Sequence, residues 1–450
     1  MDSAEEVSKT IDILHEMATV LNTGLDRKTV GYCISLCEKG ANPEALAREA
    51  KEDNNNIEEN KKAKKEHPFF NMKRVDKGTI KWINVLDTVL VGKTLGKETG
   101  RTKIAAFDLD GTLITTKSGR TFPKDEHDWR WWCQTVPKRI EELYKEGYEI
   151  VVFSNQNGLN SDKKIKSFKI KIENILNQLS PPVFFMAALA KDKYRKPMTG
   201  MWHWFVQQHD QEIDKDACFY VGDAAGRDRK PKKDHSCVDR KFADNLQVAF
   251  HTPEEFFLNE PKADFEWLGF NAKEHPRDLP LLSPPLPSFP ATEKNEVVIC
   301  VGYPASGKSS FVKKHLVPKG YVYVNQDELK TRDKCIKACQ EALSNEKSVV
   351  IDNTNPEKST RQLYIQLAQK AGVPVRCLYF GQDENLAQHN NHYRAIHESS
   401  RDLISKIVFR TFKSKFQEPT MEEGFAEIQR VNFVFDGSDK DYEEWKKWWI

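Results

Sequence analysis

Two carboxylates stand two residues apart at the end of an apolar run in the stretch IAAFDLDGTL, residues 104 to 113. The run predicts a buried parallel strand, and an extended strand end points Asp108 and Asp110 to the same side. Gly111 then frees the backbone to turn. Such a pair suits a hard metal ion and phosphoryl chemistry, with one group as nucleophile and the other as proton donor. The alternative is a strand-end Asp that only caps the next turn, but a whole D-x-D-G-T behind an apolar strand is rare by chance.

Polar side chains also follow three later predicted strands. A hydroxyl at a strand end can hydrogen-bond a phosphoryl oxygen, a lysine can offset its negative charge, and a further carboxylate can join a metal site. Taken singly each is an ordinary surface residue, but taken in this order they form a specific set. The predicted strands and the residues behind them are 148–153 with Ser154, 183–189 with Lys196, and 218–222 with Asp223.

A second phosphate-binding pattern, G-x-x-x-x-G-K-S, lies between a predicted strand at 296–301 and a helical segment. In that context the backbone N–H groups cradle the phosphates of ATP, Lys308 reaches the β- and γ-phosphates, and Ser309 ligates Mg²⁺. A purely structural glycine-rich turn is the weaker alternative. The residues of the pattern are Gly302, Tyr303, Pro304, Ala305, Ser306, Gly307, Lys308 and Ser309.

Three further residues are expected to act beside this loop, one of them on the ATP phosphates. Asp327 follows a predicted strand at 321–324 and is placed to act as base on an acceptor hydroxyl. Asp352 follows the strand at 348–351 and is predicted to bind the acceptor or to orient the waters of the metal. Arg394 lies on a predicted lid helix from which it reaches the ATP phosphates, with a plain surface-helix residue as the alternative.

A basic loop spans residues 227–241, directly behind Asp223. Arg227, Lys232 and Lys233 in it are predicted to contact nucleic acid, because cations near the site attract a polyanion. A solvated loop explains the charge equally well.

Composition favours a soluble chain of about three domains. Of the 450 residues 30% are charged and 39% apolar, and the formal net charge is +2, so a polyanion must be held by a local patch. No apolar run is long enough to span a bilayer, and no membrane is expected. The nine cysteines lack metal or disulfide spacing, which favours a reducing, intracellular compartment.

The elements that must position these residues predict an α/β fold with a small all-α module ahead of it. Alternating apolar strands and helices favour two parallel sheets, separated by a proline-rich stretch. The predicted divisions are a helical module at 1–60, a charged linker at 61–78, a phosphatase domain at 79–270, a proline-rich linker at 271–295 and a P-loop kinase domain at 296–450.

The D-x-D-G-T stretch resembles the nucleophile motif of the haloacid-dehalogenase (HAD) phosphatase superfamily, which has a Rossmann-like fold. The resemblance implies that Asp108 forms an aspartyl-phosphate and that Asp110 is the general acid and base. It also implies that Asp108, Asp223 and the Asp110 carbonyl hold Mg²⁺, while Lys196 and Ser154 stabilise the charge on the phosphoryl oxygens.

Residues 80 to 436 resemble the eukaryotic polynucleotide kinase 3′-phosphatases. The likeness rests on FDLDGTLITTKSGRTFP, RKPMTGMW, FYVGDAAGR, SCVDR, GYPASGKSS and IDNTNP. It implies removal of 3′-phosphates and ATP-dependent phosphorylation of 5′-hydroxyls at DNA strand breaks in the nucleus, on single-stranded, nicked or gapped ends. The chain departs from vertebrate members in lacking a forkhead-associated domain and in carrying Gln326 and His392 where they have arginines, which is expected to weaken phosphate contacts of the kinase. The alternative is an enzyme of the same parts acting on RNA or a small molecule.

The first fifty residues read as three short helices and resemble the MOZART mitotic-spindle organisers. The likeness is carried by LNTGLD at 21–26 and NPEAL at 42–46. It implies that residues 1–52 dock on γ-tubulin-complex proteins, with the cytoplasm or centrosome as a second location. Three alternatives stay open: an unrelated helical appendage, a sequence in which two separate genes are joined, and a docking protein that carries the enzyme as cargo.

Overall fold

A computed structural model describes residues 80–83, 86–94, 101–209, 211–228, 233–285, 295–381, 383–398 and 401–450. The predicted N-terminal helical module and the charged linker therefore lie outside the described residues. All of the described residues belong to one compact unit, Arg74–Ile450. Among them no helix is long and apolar enough to cross a bilayer.

The first half of this unit is built on a seven-stranded sheet in the order β1-β2-β7-β6-β3-β8-β9. Its strands from β7 to β9 in that order pair in parallel, and β1 and β2 add an antiparallel edge. The central strands are apolar on both faces because helices cover both sides, as expected of a parallel sheet. The strands of this half, including a separate two-stranded ribbon of β4 and β5, are β1 (Ile80–Ile83), β2 (Val89–Thr94), β3 (Lys103–Phe107), β4 (Ile114–Thr115), β5 (Arg130–Trp131), β6 (Tyr148–Asn155), β7 (Val183–Ala188), β8 (Phe219–Val221) and β9 (Ala249–His251).

Five helices join these strands. The apolar faces of the first two bury Ile140 and Leu143, and Phe168 and Ile172, in the same core as Phe107. Thr252 caps the fifth through a capping box with Glu255. The helices are α1 (Val136–Lys145), α2 (Asp162–Leu176), α3 (Gly200–Val206), α4 (Val238–Leu246) and α5 (Pro253–Phe257).

The second half is built on a six-stranded sheet in the order β10-β15-β14-β11-β13-β12. All neighbouring pairs are parallel except β10 with β15. Its elements are β10 (Leu282–Ser283), β11 (Val297–Val301), α6 (Lys308–His315), β12 (Val322–Val324), α7 (Gln326–Leu329), α8 (Arg332–Ser344), β13 (Val349–Ile351), α9 (Lys358–Ala371), β14 (Val375–Tyr379), α10 (Glu384–His397), α11 (Lys406–Lys415), β15 (Glu427–Val431) and α12 (Asp439–Trp445). The predicted α/β class with two parallel sheets is confirmed.

The stretch predicted as an extended linker contributes an edge strand instead. Leu282 and Ser283 of β10 pair with Val431 and Arg430 of β15. Leu282 packs into the core of the second half, so the proline-rich segment is tied to the kinase sheet before residue 286. Prolines are tolerated here because β10 lies at the sheet edge, where a missing N–H removes no ladder bond.

The last helix, α12, ends at Trp445, which is buried. Trp448 and Trp449 behind it are buried as well. The indole of Trp448 stacks on Trp267, with ring centroids 4.8 Å apart, and its backbone N–H donates to Asn245 Oδ1 on α4 at 2.8 Å. The C-terminal segment of the kinase half thus packs on the phosphatase half.

Candidate functional site

The sequence IAAFDLDGTL forms the turn that the strand pattern predicts, with β3 ending one residue before Asp108. The Asp108 backbone N–H donates to Val221 O at the end of β8, at 2.8 Å. Gly111 follows with φ +82°, and a Cβ on it would collide with the Asp223 carboxylate. Only glycine therefore allows the loop behind β8 to bring Asp223 against the nucleophile turn.

Three carboxylates meet at this point, two of them buried and that of Asp223 partly exposed. Asp108, Asp223 and Asp239 each offer an oxygen within 4.8 Å of the others. Burial raises the pKa of Asp108 to about 7, with Asp239 adding to the rise and Lys196 opposing it. Burial, followed by repulsion from Asp108 and Asp239, raises the pKa of Asp223 well above its ordinary value. Clustered carboxylates repel one another when ionised, and a hard divalent cation bound by their oxygens would offset that repulsion. These residues therefore fit a Mg²⁺ site.

Lys196 is the cation of this cluster, and it is 3% exposed. Its ammonium donates to Asp108 Oδ1 at 2.6 Å, to Asp239 Oδ1 at 2.7 Å and to the Tyr220 hydroxyl at 2.6 Å. Burial opposes its charge, but attraction from Asp108 and Asp239 leaves the pKa of Lys196 raised. Asn155 at the end of β6 fixes its backbone through two hydrogen bonds of 3.0 Å.

Ser154 and Asp110 lie beside the cluster, as predicted, and a glutamine joins them. Gln156 Nε2 donates to Asp110 Oδ2 at 2.7 Å and to Ser154 Oγ at 2.9 Å. The other oxygen of Asp110 lies 3.2 Å from the ammonium of Lys171 on α2. The structure therefore brings Asp108, Asp110, Ser154, Lys196 and Asp223 to one edge of the sheet.

The sequence analysis missed Asp239 as a site residue. It lies in SCVDR, a stretch that entered only through its likeness to a family, and at the first turn of α4 its carboxylate accepts from the Ala224 N–H at 3.0 Å. Asp239 lies 16 residues after Asp223, in the first turn of a helix, so it does not follow an apolar strand as the predicted site residues do. The likeness of SCVDR was the one signal that could have singled it out.

The prediction that Arg227 contacts nucleic acid is wrong. Its guanidinium is 2% exposed and pairs with Asp234 and Glu254. The two carboxylates outweigh the effect of burial, so the pKa of Arg227 is raised and its charge serves to hold the loop in place. Lys233 is exposed and shares its charge with Asp228 and Glu266, and Lys232 lies outside the described residues.

The predicted phosphate loop in the kinase half lies between β11 and α6. Gly307, with φ +91°, precedes the first turn of α6, so the helix begins at Lys308. The Lys308 ammonium donates to Gly302 O at 3.1 Å and to Ser306 Oγ at 3.3 Å, curled into the loop. Burial lowers the pKa of Lys308 to about 8, against the attraction of Asp352. A buried lysine among backbone carbonyls and N–H groups is suited to a phosphate chain.

Asp327, Asp352 and Arg394 all lie close enough to Lys308 to influence the pKa of its ammonium. Asp327 is exposed on α7 and acts electrostatically on both Lys308 and Arg394. Asp352 is buried, with Oδ2 accepting from the Tyr323 hydroxyl at 2.7 Å and Oδ1 without a hydrogen-bond partner among the described residues. The unpaired buried oxygen fits the prediction that Asp352 orients the waters of a metal ion, because such an atom requires a polar partner.

Arg394 lines a cavity of about 560 Å³ together with Lys308 and Ser309. Its Nε has no hydrogen-bond partner within the described structure, so it is free to bind a phosphate oxygen. His392 instead points its Nδ1 to Gln388 O on its own helix at 2.9 Å, and burial lowers the pKa of this imidazole. Gln326 is exposed beside Asp327.

Three family models match separate parts of the chain. The family model for polynucleotide kinase 3 phosphatase matches residues 103–257, an AAA domain model matches 330–419, and a model for the mitotic-spindle organizing γ-tubulin ring associated family matches 8–52.

Among curated proteins, the bifunctional polynucleotide phosphatase/kinase of Schizosaccharomyces pombe is 44% identical over 380 residues, covering 82% of this chain and 88% of its own length. A putative bifunctional polynucleotide phosphatase/kinase of Acanthamoeba polyphaga mimivirus is 34% identical over 77% of this chain and 88% of its own length. Mitotic-spindle organizing protein 1 of Botryotinia fuckeliana is 54% identical over 54 residues, which is 11% of this chain and 65% of that protein.

Proposed function

Because the chain belongs to the bifunctional polynucleotide phosphatase/kinase family, we propose that it restores broken DNA strands by removing 3′-phosphates and phosphorylating 5′-hydroxyls. The observation that carries this proposal is the presence of two complete phosphoryl-transfer sites in one unit. The first converges on Asp108 and the second on Lys308. A broken strand with a 3′-phosphate and a 5′-hydroxyl requires both reactions, because the phosphate must be removed from the 3′ end and one must be added to the 5′ end.

At the first site an Asp108 oxygen attacks the phosphorus of the terminal 3′-phosphate, and the bond from phosphorus to the 3′-oxygen breaks. Asp110 gives its proton to that leaving oxygen and then takes a proton from the water that hydrolyses the aspartyl-phosphate. Ser154 donates to a phosphoryl oxygen and Lys196 stabilises the developing charge. A Mg²⁺ ion held by Asp108, Asp223 and the Asp110 carbonyl would offset the repulsion between phosphate and carboxylate.

At the second site the phosphate loop holds ATP, and Lys308 and Arg394 lie against its β- and γ-phosphates. Asp327 takes the proton of the 5′-hydroxyl as its oxygen attacks the γ-phosphorus, and ADP leaves. Ser309, with Asp352 behind it, would hold the Mg²⁺ that neutralises the phosphate oxygens.

The test uses purified full-length protein on a nicked DNA duplex with a 3′-phosphate and a 5′-hydroxyl, and on the matching RNA and small sugar phosphates. We expect both reactions on DNA, loss of only the phosphatase in Asp108→Ala, and loss of only the kinase in Lys308→Ala. A preference for sugar phosphates or RNA, or the loss of both reactions from either change, would overturn the proposal.

We further infer that residues 1–52 dock on γ-tubulin-complex proteins, on the strength of the family match at 8–52. Binding of purified γ-tubulin complex to the full chain, and not to a chain lacking residues 1–60, tests this. Location follows from the same proposals: the enzyme acts in the nucleus, and the N-terminal segment would add the cytoplasm or centrosome. Imaging a fluorescent fusion with and without residues 1–60 distinguishes the two, since only the full chain should mark the centrosome.

A further inference from the structure

A buried lysine on α2, Lys171, has no ion pair among the described residues strong enough to offset the cost of burying its charge. The side chain of Lys171 is 6% exposed, and its one anionic partner in the described part of the chain is Asp110, whose side chain is 51% exposed. Taking an ammonium out of water costs several kcal/mol, and a half-exposed carboxylate returns only part of it. A lysine kept in such a place is better explained by what it does to Asp110.

Lys171 and Gln156 together fix both oxygens of that carboxylate. The Lys171 ammonium reaches Oδ1 at 3.2 Å, and Gln156 Nε2 donates to Oδ2 at 2.7 Å. The two donors come from different elements, α2 and the loop behind β6. With a donor on each oxygen the carboxylate plane cannot rotate freely about its last bond.

The position of Lys171 is itself rigid. It lies in the second half of α2, between Phe168 and Ile172, whose side chains pack in the core of the phosphatase half. A lysine has a long, mobile stem, but burial along α2 removes most of that freedom. Packing of α2 in the core therefore holds the Lys171 ammonium next to Asp110.

We propose that Lys171, assisted by Gln156, is a positioning residue that orients the Asp110 carboxylate toward the leaving oxygen of the substrate. The inference rests on the proposed phosphatase function, in which Asp110 moves protons. It assigns Lys171 a role apart from that of Lys196, which contacts the nucleophile Asp108. Proton transfer by a correctly positioned side chain typically raises the reaction rate about 10²- to 10⁴-fold. If Asp110 is oriented incorrectly, a measurable part of that rate enhancement should be lost.

The test compares two leaving groups in Lys171→Met. A 3′-phosphorylated oligonucleotide expels an alkoxide that needs a proton, whereas p-nitrophenyl phosphate expels a phenolate that needs none. We expect the rate on the oligonucleotide to fall about 10- to 100-fold. The pre-steady-state burst of p-nitrophenolate, which reports attack by Asp108 alone, should stay within about twofold of the unchanged protein.

Two variants serve as controls. Lys171→Arg restores a donor to Asp110 and should recover much of the lost rate on the oligonucleotide. Lys166→Met removes an exposed lysine from the same helix and should change neither substrate. Kinase activity of the same preparations reports that the chain is folded. If Lys171→Met fails to fold, Gln156→Leu removes the donor to the other oxygen and should show the same difference between leaving groups.

Equal losses on both substrates, or no loss on the oligonucleotide, would overturn the positioning role. Failure of the unchanged protein to release phosphate from the oligonucleotide would instead overturn the proposed function. The two failures are thus distinguishable.

Discussion

Replacing Asp239 by Asn removes one negative charge from the centre of the phosphatase site. The two side chains have the same shape, and an amide oxygen can still accept from the Ala224 N–H, which now donates to Asp239 Oδ2 at 3.0 Å. What is lost is the ion pair with Lys196, whose ammonium lies 2.7 Å from Asp239 Oδ1, and the hydrogen bond that the Tyr220 hydroxyl donates to the same oxygen at 3.2 Å. Lys196 retains Asp108 as a partner, so it is not left as an isolated buried charge.

The expected consequence is weaker cation binding and slower phosphatase turnover. Asp239 lies within 4.8 Å of Asp108 and Asp223 and raises the pKa of both, so it belongs to the negative field that would attract Mg²⁺. Loss of a group that supports the first ligands typically costs about 10- to 100-fold in metal affinity. That is about 1.4 to 2.8 kcal/mol, since each tenfold is about 1.4 kcal/mol. In addition, Lys196 would pair with Asp108 alone and hold the nucleophile more firmly.

The assay is a Mg²⁺ titration of 3′-phosphate release, with Mn²⁺ binding followed by electron paramagnetic resonance as a readout independent of turnover. The control is Asp244→Asn, on the same helix, because Asp244 pairs with Lys273 and the Trp448 indole and touches no site residue. We expect the control to keep the affinity of the unchanged protein. Identical titrations for Asp239→Asn and the unchanged protein, or a parallel loss of kinase activity, would refute the reasoning.

Two further predictions concern the contact between the C-terminal segment and α10. Trp445 is fully buried, and its indole donates at 2.8 Å to Asn390 Oδ1, on the wall of the cavity that Lys308 and Arg394 line. Trp445→Ala should therefore lower the free energy of unfolding in urea by about 3–5 kcal/mol. It should also raise the KM for ATP while phosphatase kcat stays unchanged, and an unchanged KM would contradict the prediction. Burial lowers the pKa of His389 from 6.5 to about 4, so an unfolded chain binds a proton that the folded one refuses between those values. Stability is therefore full above pH 6.5 and falls toward pH 4 by about 1.4 kcal/mol per unit, or about 2 kcal/mol by about pH 5. Urea unfolding at about pH 6.5 and about pH 5 should show that His389→Gln loses less unfolding free energy between these pH values than the unchanged protein does. An equal loss in the two proteins would contradict this prediction.

The residues predicted correctly from sequence are those that local pattern places. Asp108 and Asp223 follow apolar strands and Ser154 is the penultimate residue of β6, and the carboxyl ends of neighbouring parallel strands meet at one edge of a sheet. The strand order β6-β3-β8 makes these ends adjacent. The phosphate loop at Lys308 is predictable for the same reason, because a strand, a glycine turn and a helix carry it in one continuous stretch.

The residues that were missed or misjudged depend on partners distant in sequence. Arg227 has the charge of a nucleic-acid contact, but Glu254, 27 residues away, pairs with it in the core. Lys171 has the pattern of a solvated helix face, yet its ammonium meets Asp110, 61 residues earlier. Asp239 begins a helix whose direction only tertiary packing decides. Burial against a distant carboxylate leaves no periodic signal in the sequence, so pattern alone assigns such charges to the surface.

Helix α4 explains how two reactions can share one unit and remain chemically separate. Its first turn delivers Asp239 to the phosphatase site, and its last turn holds the C-terminal segment, since the Asn245 amide donates to Trp448 O at 2.8 Å. That segment in turn fixes Asn390 through Trp445. The connection includes side-chain hydrogen bonds, among them the one that Asp244 accepts from the Trp448 indole, but neither Asp244 nor Asn245 acts in either site. Changes at Asp239 should therefore slow the phosphatase without affecting the kinase, and changes at Trp445 should weaken ATP binding and stability without lowering phosphatase kcat.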